Sequence, residues 1–183
     1  MTTDEQLMLE FRGGSREAFA ALFERYRDAM WRFFRRRVDD SARAEELAQD
    51  AFVAILQGST RYEPRASFRS YLFGIAYNLW MADRRKSANR RPAQVLNEEP
   101  AALASAHPAE AIWVRRALNR LDADDREILM LREYEQLSYQ QIADLRHLPV
   151  NTVRSRLFRA RMALKDALAS RVGNVVRITH DGR

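Results

Sequence analysis

The residues best suited to do chemistry in this sequence lie in one short polar and basic run between positions 151 and 159. Asn, Thr and Ser side chains both donate and accept hydrogen bonds, and each Arg adds a positive charge with several N–H donors. Such groups read base edges in the major groove of DNA and bind the phosphates beside it. The run contains Asn151, Thr152, Arg154, Ser155, Arg156 and Arg159. It predicts a DNA-reading surface if one helix presents these side chains together.

Two closely spaced helices are expected to position this run. Ser138 followed by Gln141 fits a capping box, so a helix is predicted over Ser138–Leu145. The residue before Pro149 is biased away from helical geometry, so this helix must end by about His147, and another begins directly after it. Helices so close in sequence cross at a steep angle, which is typical of a helix-turn-helix.

The second of these helices, predicted over Val150–Ala169, has one apolar face and one polar face. At about 100° per residue, its apolar side chains fall together. Asn151, Ser155 and Arg159 point away from them, and Thr152, Arg154 and Arg156 lie on the flanks. A solvated basic helix is the alternative interpretation, but the adjacent short turn and capped helix favour DNA binding.

Hydrophobic periodicity predicts helices along most of the remaining chain, and the alternation typical of strands is nearly absent. Four helices come first, and two more precede the helix-turn-helix. The predicted ranges are Asp4–Arg12, Ser15–Arg37, Ser41–Leu56, Ser67–Lys86, Ala111–Leu121 and Ala123–Tyr134. The sequence therefore predicts an all-α fold with two small domains, an N-terminal helical bundle and a C-terminal helix-turn-helix bundle.

Composition changes between the two predicted domains. Pro92, Pro100 and Pro108 occur there among Ala, Asn and Glu, and helical periodicity fades, as in a flexible linker. We accordingly predict an N-terminal domain over 1–87, a linker over 88–110 and a C-terminal domain over 111–171. The tail over 172–183 is too short and mixed for a structural or functional assignment.

Two helices of the first domain carry apolar residues on more than one face. On the third helix, Phe52, Val53 and Leu56 spread beyond the stripe expected for the core, so they either belong to the centre of the bundle or contact another protein. On the fourth helix, an aromatic stripe ends in Arg84. Aromatic and basic side chains together bind unstacked bases, but packing against a neighbouring helix explains the aromatics equally well. The stripe consists of Phe73, Tyr77, Trp80 and Arg84.

Charge and composition limit the possible partners. The 183 residues are 46% hydrophobic and 31% charged, which is typical of a folded globular protein, and the formal net charge of +6 makes a polyanion the first partner to consider. There is no Cys, no apolar stretch of the ~20 residues that a membrane span needs, and no secretory signal in the acidic first residues. We expect a cytoplasmic protein without membrane association.

Features of enzymes are missing from the sequence. It has no carboxylates clustered at metal-binding spacing, no Gly-rich phosphate loop and no nucleophile elbow, and its three His are scattered. We therefore expect no catalytic residues, metal, cofactor or small-molecule substrate. A stand-alone helix-turn-helix regulator, which would bind paired half-sites as a dimer, stays open at this point.

Three segments resemble the extracytoplasmic-function sigma factors of bacterial RNA polymerase, in the order in which that family has them. The first combines FAALFERYRDAMWRFFRRR at Phe19–Arg37 with AEELAQDAFVAIL at Ala44–Leu56, and is similar to polymerase-binding region two. The second, SFRSYLFGIAYNLWMADRRK at Ser67–Lys86, is similar to the helix beside the promoter's minus-ten element. The third, LSYQQIADLRHLPVNTVRSRLFRARMAL at Leu137–Leu164, resembles region four, which reads the minus-thirty-five element.

The resemblance implies roles for particular residues. Core RNA polymerase, promoter DNA and an anti-sigma factor are the implied partners, and Thr152 to Arg156 would read the minus-thirty-five element. The loop Gly58–Ala66 would contact a flipped minus-ten base. The implied polymerase contacts are Glu46, Gln49, Asp50 and Val53, and the minus-ten contacts are Tyr62, Tyr77, Asn78, Arg84 and Arg85.

Three positions depart from the family pattern. His147 and Asn151 stand where the family usually has Gly, and Tyr71 replaces the more usual Trp. A positive φ at position 147 would be more costly for His than for Gly. Asn151 adds an amide at the start of the recognition helix, where it would alter which bases are accepted.

Overall fold

A computed structural model describes residues 2–90 and 108–178, with side chains at 2–88 and 112–169. Within these ranges the chain forms helices and no strand, so the all-α prediction is confirmed. The contacts group the chain into two compact units, Met1–Ala101 and Ala102–Arg183.

The first unit contains four α-helices and a short 3-10 turn in its described part. The helices are α1 (Asp4–Arg12), α2 (Arg16–Arg35), α3 (Ser41–Gly58) and α4 (Phe68–Arg90), and the turn spans Ser59–Arg61. Side chains of Thr3, Ser15 and Asp40 cap the first three helices, as expected where short polar residues precede an apolar run. Three C-terminal ends differ from the predictions. Helix α2 ends at Arg35 rather than Arg37, α3 continues from Leu56 through Gly58, and α4 continues from Lys86 to Arg90.

Aromatic side chains fill the core of this unit. Phe33 is fully buried, with its ring 5.1 Å from that of Phe34 and 5.7 Å from that of Phe73. Phe52, which the sequence left open between core and partner contact, lies 4.8 Å from the Phe23 ring and is buried. Phe52 is therefore a core residue, whereas Val53 is exposed on the same helix.

Helix α1 fixes both the start of α4 and the loop before it. The Glu5 carboxylate accepts a hydrogen bond of 2.8 Å from the backbone N–H of Phe68, the first residue of α4. Arg12 Nη1 donates to the backbone oxygen of Tyr62 at 2.9 Å. Each bond joins α1 to residues 50 or more positions away, so the short first helix determines the geometry of the loop over 62–67.

The phenol of Tyr26 makes this unit sensitive to alkaline pH. Burial, with the hydrogen bond that Tyr26 donates to Asp4 Oδ2 at 2.5 Å, raises the tyrosine pKa from 10.0 to about 12. Below pH 10 both folded and unfolded chains keep the proton, and the stabilisation is complete. Between pH 10 and about 12 the unfolded chain loses its proton first, so stability should fall by up to about 1 kcal/mol per pH unit.

Thermal unfolding of this unit, followed by circular dichroism across pH 10 to about 12, tests this expectation. Tyr26→Phe should show a shallower loss of stability than the wild type. Tyr134→Phe is the matched control, because Tyr134 is 42% exposed and lies in the other unit. Equal slopes for the wild type and Tyr26→Phe would contradict the expectation.

The second unit contains four α-helices in its described part. They are α5 (Pro108–Asn119), α6 (Ala123–Glu133), α7 (Tyr139–Arg146) and α8 (Val150–Ile178). Helix α8 continues through Ile178, so most of the predicted tail over 172–183 is helical. Residues 88–90 and 108–110 at the ends of the predicted linker are also helical, and residues 91–107 lie outside the described part.

In the turn between α7 and α8, His147 has the positive φ that was considered for this position. His147 has φ 52° and ψ 45°, a left-handed conformation, and the backbone N–H of Leu148 bonds to Ala143 O at 2.9 Å. This six-to-one bond ends α7 in the manner usually associated with Gly. The strain foreseen for His at this position is therefore present in the folded chain.

Replacing His147 by Gly should stabilise the second unit by about 1 kcal/mol and raise its Tm by roughly 4–8 °C. Gly adopts the left-handed conformation without a Cβ clash, which outweighs its larger backbone entropy at this position. Asp144→Gly is the control and should lower the Tm instead. Asp144 is exposed inside α7, where Gly has a lower helix propensity than Asp. Differential scanning calorimetry measures both, and an unchanged or lower Tm for His147→Gly would contradict the prediction.

Candidate nucleic-acid interface

Helix α8 is held by its apolar face and presents a polar face at its start. Val153, Leu157 and Ala160 are buried where α8 packs against α6 and α7. The capping box predicted for α7 is present, since Gln141 N–H bonds to Ser138 Oγ at 3.1 Å and Ser138 N–H bonds to Gln141 Oε1 at 2.6 Å. A capped helix, a tight left-handed turn and a second helix therefore form the helix-turn-helix predicted from the sequence.

The predicted base-reading residues lie together at the N-terminal end of α8. Asn151, Arg154 and Ser155 are exposed, and Thr152 is half-buried. Asn151 Oδ1 accepts a hydrogen bond from Arg154 Nη1 at 3.4 Å, so the two side chains are close enough to act on one base pair. Donors and acceptors at the start of a helix that projects from a helix-turn-helix suit entry into a major groove.

Two other residues of the predicted set make ion pairs within the unit. Arg156 Nη1 donates to Asp124 Oδ2 at 2.8 Å, and its side chain is only 24% exposed. Arg159 Nε and Nη2 donate to the two oxygens of Asp125 at 3.3 and 3.2 Å. Arg146, in the last turn of α7, donates to the other oxygen of Asp124 at 2.9 Å. The positive charge of these arginines is thus partly neutralised by the start of α6.

Sequence reasoning missed Phe158. Its side chain is 67% exposed, the largest value among the large hydrophobic residues of the described chain. It lies one turn beyond Arg154 and Ser155 on the outward side of α8. An exposed aromatic ring at this place can contact a thymine methyl group. The helical spacing places Phe158 away from the buried stripe of Val153 and Leu157, and this spacing could have identified it as exposed.

Two predicted minus-ten contacts need correction. Tyr62 is 2% exposed and Tyr77 is 7% exposed. The Tyr62 ring packs 5.1 Å from that of Tyr71 and 6.4 Å from that of Phe68, so it is part of the core beneath the loop. A base cannot stack on a ring that the protein already covers, and we remove both tyrosines from the candidate contacts.

The other predicted residues of α4 are accessible. Asn78, Arg84 and Arg85 are exposed, and Trp80 is half-buried. The Arg84 guanidinium lies 5.8 Å from the centre of the Trp80 ring. The aromatic stripe therefore starts in the core, where Phe73 and Tyr77 are buried, and ends as an exposed aromatic and basic surface. The packing interpretation applies to Phe73 and Tyr77, and base binding by Trp80 and Arg84 stays a prediction.

An exposed stripe along α3 contains the four predicted polymerase contacts. Glu46, Gln49, Asp50 and Val53 are all exposed and recur at three- and four-residue spacing, so they share one helix face. Leu56, which the predicted set did not include, extends this face and is 42% exposed. We call these five residues the α3 stripe.

Arg43 ties the beginning of the α3 stripe to α4. Its Nη1 donates to Glu46 at 2.5 Å, and its Nε and Nη2 donate to Asp83 Oδ1 at 2.9 and 2.5 Å. Hydrogen bonds from Glu46 and Asp83 raise the pKa of Arg43, which therefore stays charged. Arg43 therefore fixes the start of the α3 stripe relative to the C-terminal half of α4.

Among the described side chains, at residues 2–88 and 112–169, no three His, Cys, Asp or Glu are grouped so that they could hold a metal ion. Over residues 2–90 and 108–178, each helix is too short or too polar to cross a membrane.

Family models match both units. Residues 22–91 match Sigma-70 region 2, and residues 111–164 match Sigma-70, region 4. The first match includes the α3 stripe and all of α4, and the second ends within α8 beyond the helix-turn-helix. The two predicted regions therefore occur in the predicted order.

Curated relatives are similar over most of their length. The RNA polymerase sigma-H factor of Pseudomonas aeruginosa is 31% identical over 181 residues, covering 90% of this chain and 93% of that protein. The RNA polymerase sigma factor CarQ of Myxococcus xanthus is 32% identical, with 88% and 95% covered. The ECF RNA polymerase sigma-E factor of Escherichia coli K12 is 29% identical, with 88% and 92% covered.

The fold is also similar to that of a solved structure. CnrH, solved in complex with the cytosolic domain of CnrY, has a TM-score of 0.69 and 25% identity, with 91% of this chain and 97% of that chain covered. Sequence, fold and the order of the two regions agree, and the chain belongs to the extracytoplasmic-function group of the sigma-70 family of RNA polymerase sigma factors.

Proposed function

We propose that this sigma factor directs core RNA polymerase to promoters by reading one promoter element with each of its two units. The observation that carries the proposal is the exposed polar start of α8 on a capped helix-turn-helix, in a chain that also has the family's polymerase-binding region. Neither unit alone would provide enough contacts, so polymerase must hold the two at a fixed spacing.

The second unit would read the minus-thirty-five element. Asn151, Arg154 and Ser155 would approach base edges, with Thr152 beside them, because these side chains are accessible at the N-terminal end of α8. Phe158 would add an apolar contact to a thymine methyl group. Arg159 would make a directional contact to DNA with the N–H donors that Asp125 does not use, since a guanidinium has five of them. Arg156 would contribute mainly to the position of the helix.

The first unit would contact both polymerase and the minus-ten element. The α3 stripe combines two acidic residues with two exposed apolar ones, a composition that suits the centre and rim of a protein interface. Asn78, Arg84 and Arg85 would contact the minus-ten strand, with Trp80 available for stacking on a base. The exposed residues of the loop over 63–66 would lie beside a flipped base.

An anti-sigma factor is the expected regulatory partner. The relative named RpoE was solved in complex with the anti-sigma factor NepR, and it shares the fold with a TM-score of 0.67. Such a partner would cover the exposed apolar side chains that polymerase also needs. The chain would act in the cytoplasm, where transcription takes place, as a non-catalytic initiation factor without cofactor or small-molecule substrate.

The domain boundaries are proposed on the same basis. The polymerase- and minus-ten-binding domain corresponds to helices α1–α4, and the helix-turn-helix domain to helices α5–α8. The ranges predicted from the sequence were 1–87 and 111–171. The helices extend three of these edges, to Arg90 and Pro108 on the two sides of the linker and to Ile178 at the end of the second domain.

Run-off transcription with core polymerase on a promoter library tests the proposed function. The chain should yield transcripts from a subset of templates that share two short elements at fixed separation. It should also form a stable complex with core polymerase in the absence of DNA. Failure to co-elute with core polymerase, or no transcripts from polymerase that another sigma factor activates, would refute the proposal.

A further inference from the structure

The arginines around the recognition helix are paired with carboxylates that come from a different helix. Asp124 accepts from Arg146 with one oxygen and from Arg156 with the other, and Asp125 accepts from Arg159 with both. The two carboxylates lie 32 and 34 positions before the α8 arginines in the sequence. We call Asp124 and Asp125 the carboxylate pair.

The carboxylate pair is positioned by the first turn of α6. Asp122 caps α6 by accepting from the backbone N–H groups of both Asp124 and Asp125. Negative charge is stabilised at this end of a helix by the helix dipole. The side chain of Asp125 is 11% exposed, whereas that of Arg159 is 62% exposed. Asp125 is therefore the more buried partner of its ion pair. At Asp124 the order is reversed, since its side chain is 52% exposed and those of Arg156 and Arg146 are 24% and 15% exposed.

Asp124 stays charged at neutral pH. Hydrogen bonds from Arg156 and then Arg146 hold the pKa of Asp124 below its usual range. Two negative charges beside the base-reading end of α8 oppose the approach of phosphate. Arginines already bound to carboxylates also release fewer counterions when DNA binds, and counterion release supplies most sequence-independent affinity.

We infer that Asp124 and Asp125 are specificity-determining residues that mask Arg156 and Arg159 from phosphate and thereby favour promoter over non-promoter DNA. The inference rests on the proposed function, because it assumes that α8 reads DNA. Base contacts by Asn151 and Ser155 do not depend on net charge, whereas phosphate contacts do. Masking therefore weakens non-specific binding more than specific binding. The two hydrogen bonds to Asp125 also hold the Arg159 guanidinium in one orientation. A directional contact from Arg159 to DNA requires such a fixed orientation.

Isosteric neutralisation tests the inference. Asp124→Asn and the double variant Asp124→Asn/Asp125→Asn should each raise the affinity of the reconstituted holoenzyme for DNA with a scrambled minus-thirty-five element. Each arginine that is freed to bind phosphate should add about 0.9 to the slope of log affinity against log salt, or about tenfold in affinity near 100 mM salt. The ratio of promoter to scrambled affinity should fall by about tenfold for the double variant.

The matched control is Glu133→Gln. Glu133 accepts from Arg161 at 2.7 Å, so it makes an ion pair of the same kind between α6 and α8, and its side chain is as exposed as that of Asp124, 51% against 52%. Glu133 lies at the opposite end of α6 from the carboxylate pair. Its neutralisation should leave the affinity ratio and the salt slope unchanged.

The measurement is a titration of labelled promoter and scrambled duplexes with holoenzyme between about 50 and 200 mM salt. Unchanged slope and ratio in Asp124→Asn would overturn the inference, as would an equal change in Glu133→Gln. Asp124→Asn keeps the test possible if the double variant does not fold, since Asp124 is exposed. If wild-type holoenzyme itself shows no promoter preference, the proposed function fails, which is a separate outcome.

Discussion

Replacing Val53 and Leu56 together by Glu is expected to weaken binding of the chain to core polymerase by at least about a hundredfold, or roughly 2.7 kcal/mol. Both residues are exposed, 45% and 42%, so the substitutions remove no core packing. In the complex, however, two charges would be buried without partners at the apolar part of the α3 stripe. The cost of burying such groups and the energetic weight of central interface residues support this magnitude.

Ala20→Glu is the control for this variant. Ala20 is exposed on α2, outside the α3 stripe, so the change adds negative charge without altering the proposed contact face. Fluorescence anisotropy of the labelled chain titrated with core polymerase gives both affinities, and circular dichroism checks that each variant folds. If the double variant binds core polymerase as tightly as the wild type, the α3 stripe is not the docking face.

Arg154→Glu is expected to reduce transcription from the cognate promoter by about a hundredfold while leaving affinity for core polymerase unchanged. Loss of one bidentate base contact costs about 1–3 kcal/mol, and the introduced carboxylate adds repulsion from phosphate. Arg154 is exposed and contacts Asn151, so the effect on folding should be small. The measurement is run-off transcription on the promoter identified from the library, with the amount of holoenzyme held constant.

Lys165→Glu makes the same change of charge on the same helix. Lys165 is exposed, and it lies about 16 Å along the helix axis from Arg154. It should reduce transcription by no more than a fewfold, through the weaker long-range field alone. An equally large loss in both variants would mean that α8 contributes general positive charge and reads no bases with Arg154.

Signals that depend on neighbouring residues were reliable in this chain. The capping box of Ser138 and Gln141, the break before Pro149 and the left-handed His147 all involve groups within a few positions of one another, and all occur in the folded chain. Hydrophobic periodicity also identified the buried face of α8. Helix ends were less well predicted, as α3, α4 and α8 each extend beyond the range expected from hydrophobic periodicity.

The candidate contacts show where local reasoning stops. Tyr62 has the residue type expected of a base contact, yet α1 and α4 enclose it. Phe158 was not among the predicted contacts and is exposed. Arg156 and Arg159 have the charge and the helix face expected of DNA contacts, but in the folded chain both make ion pairs with carboxylates of α6. Each outcome depends on a residue that is distant in the sequence.

Amino-acid order alone was enough for the helical class, the two-part organisation and the location of the recognition helix, because capping, turn chemistry and amphipathic period act over a few residues. Folding in three dimensions decided which of the polar and aromatic side chains stay available to DNA or polymerase. That choice depends on burial and ion pairing between helices, such as Asp124 with Arg156, and no short stretch of sequence contains both partners.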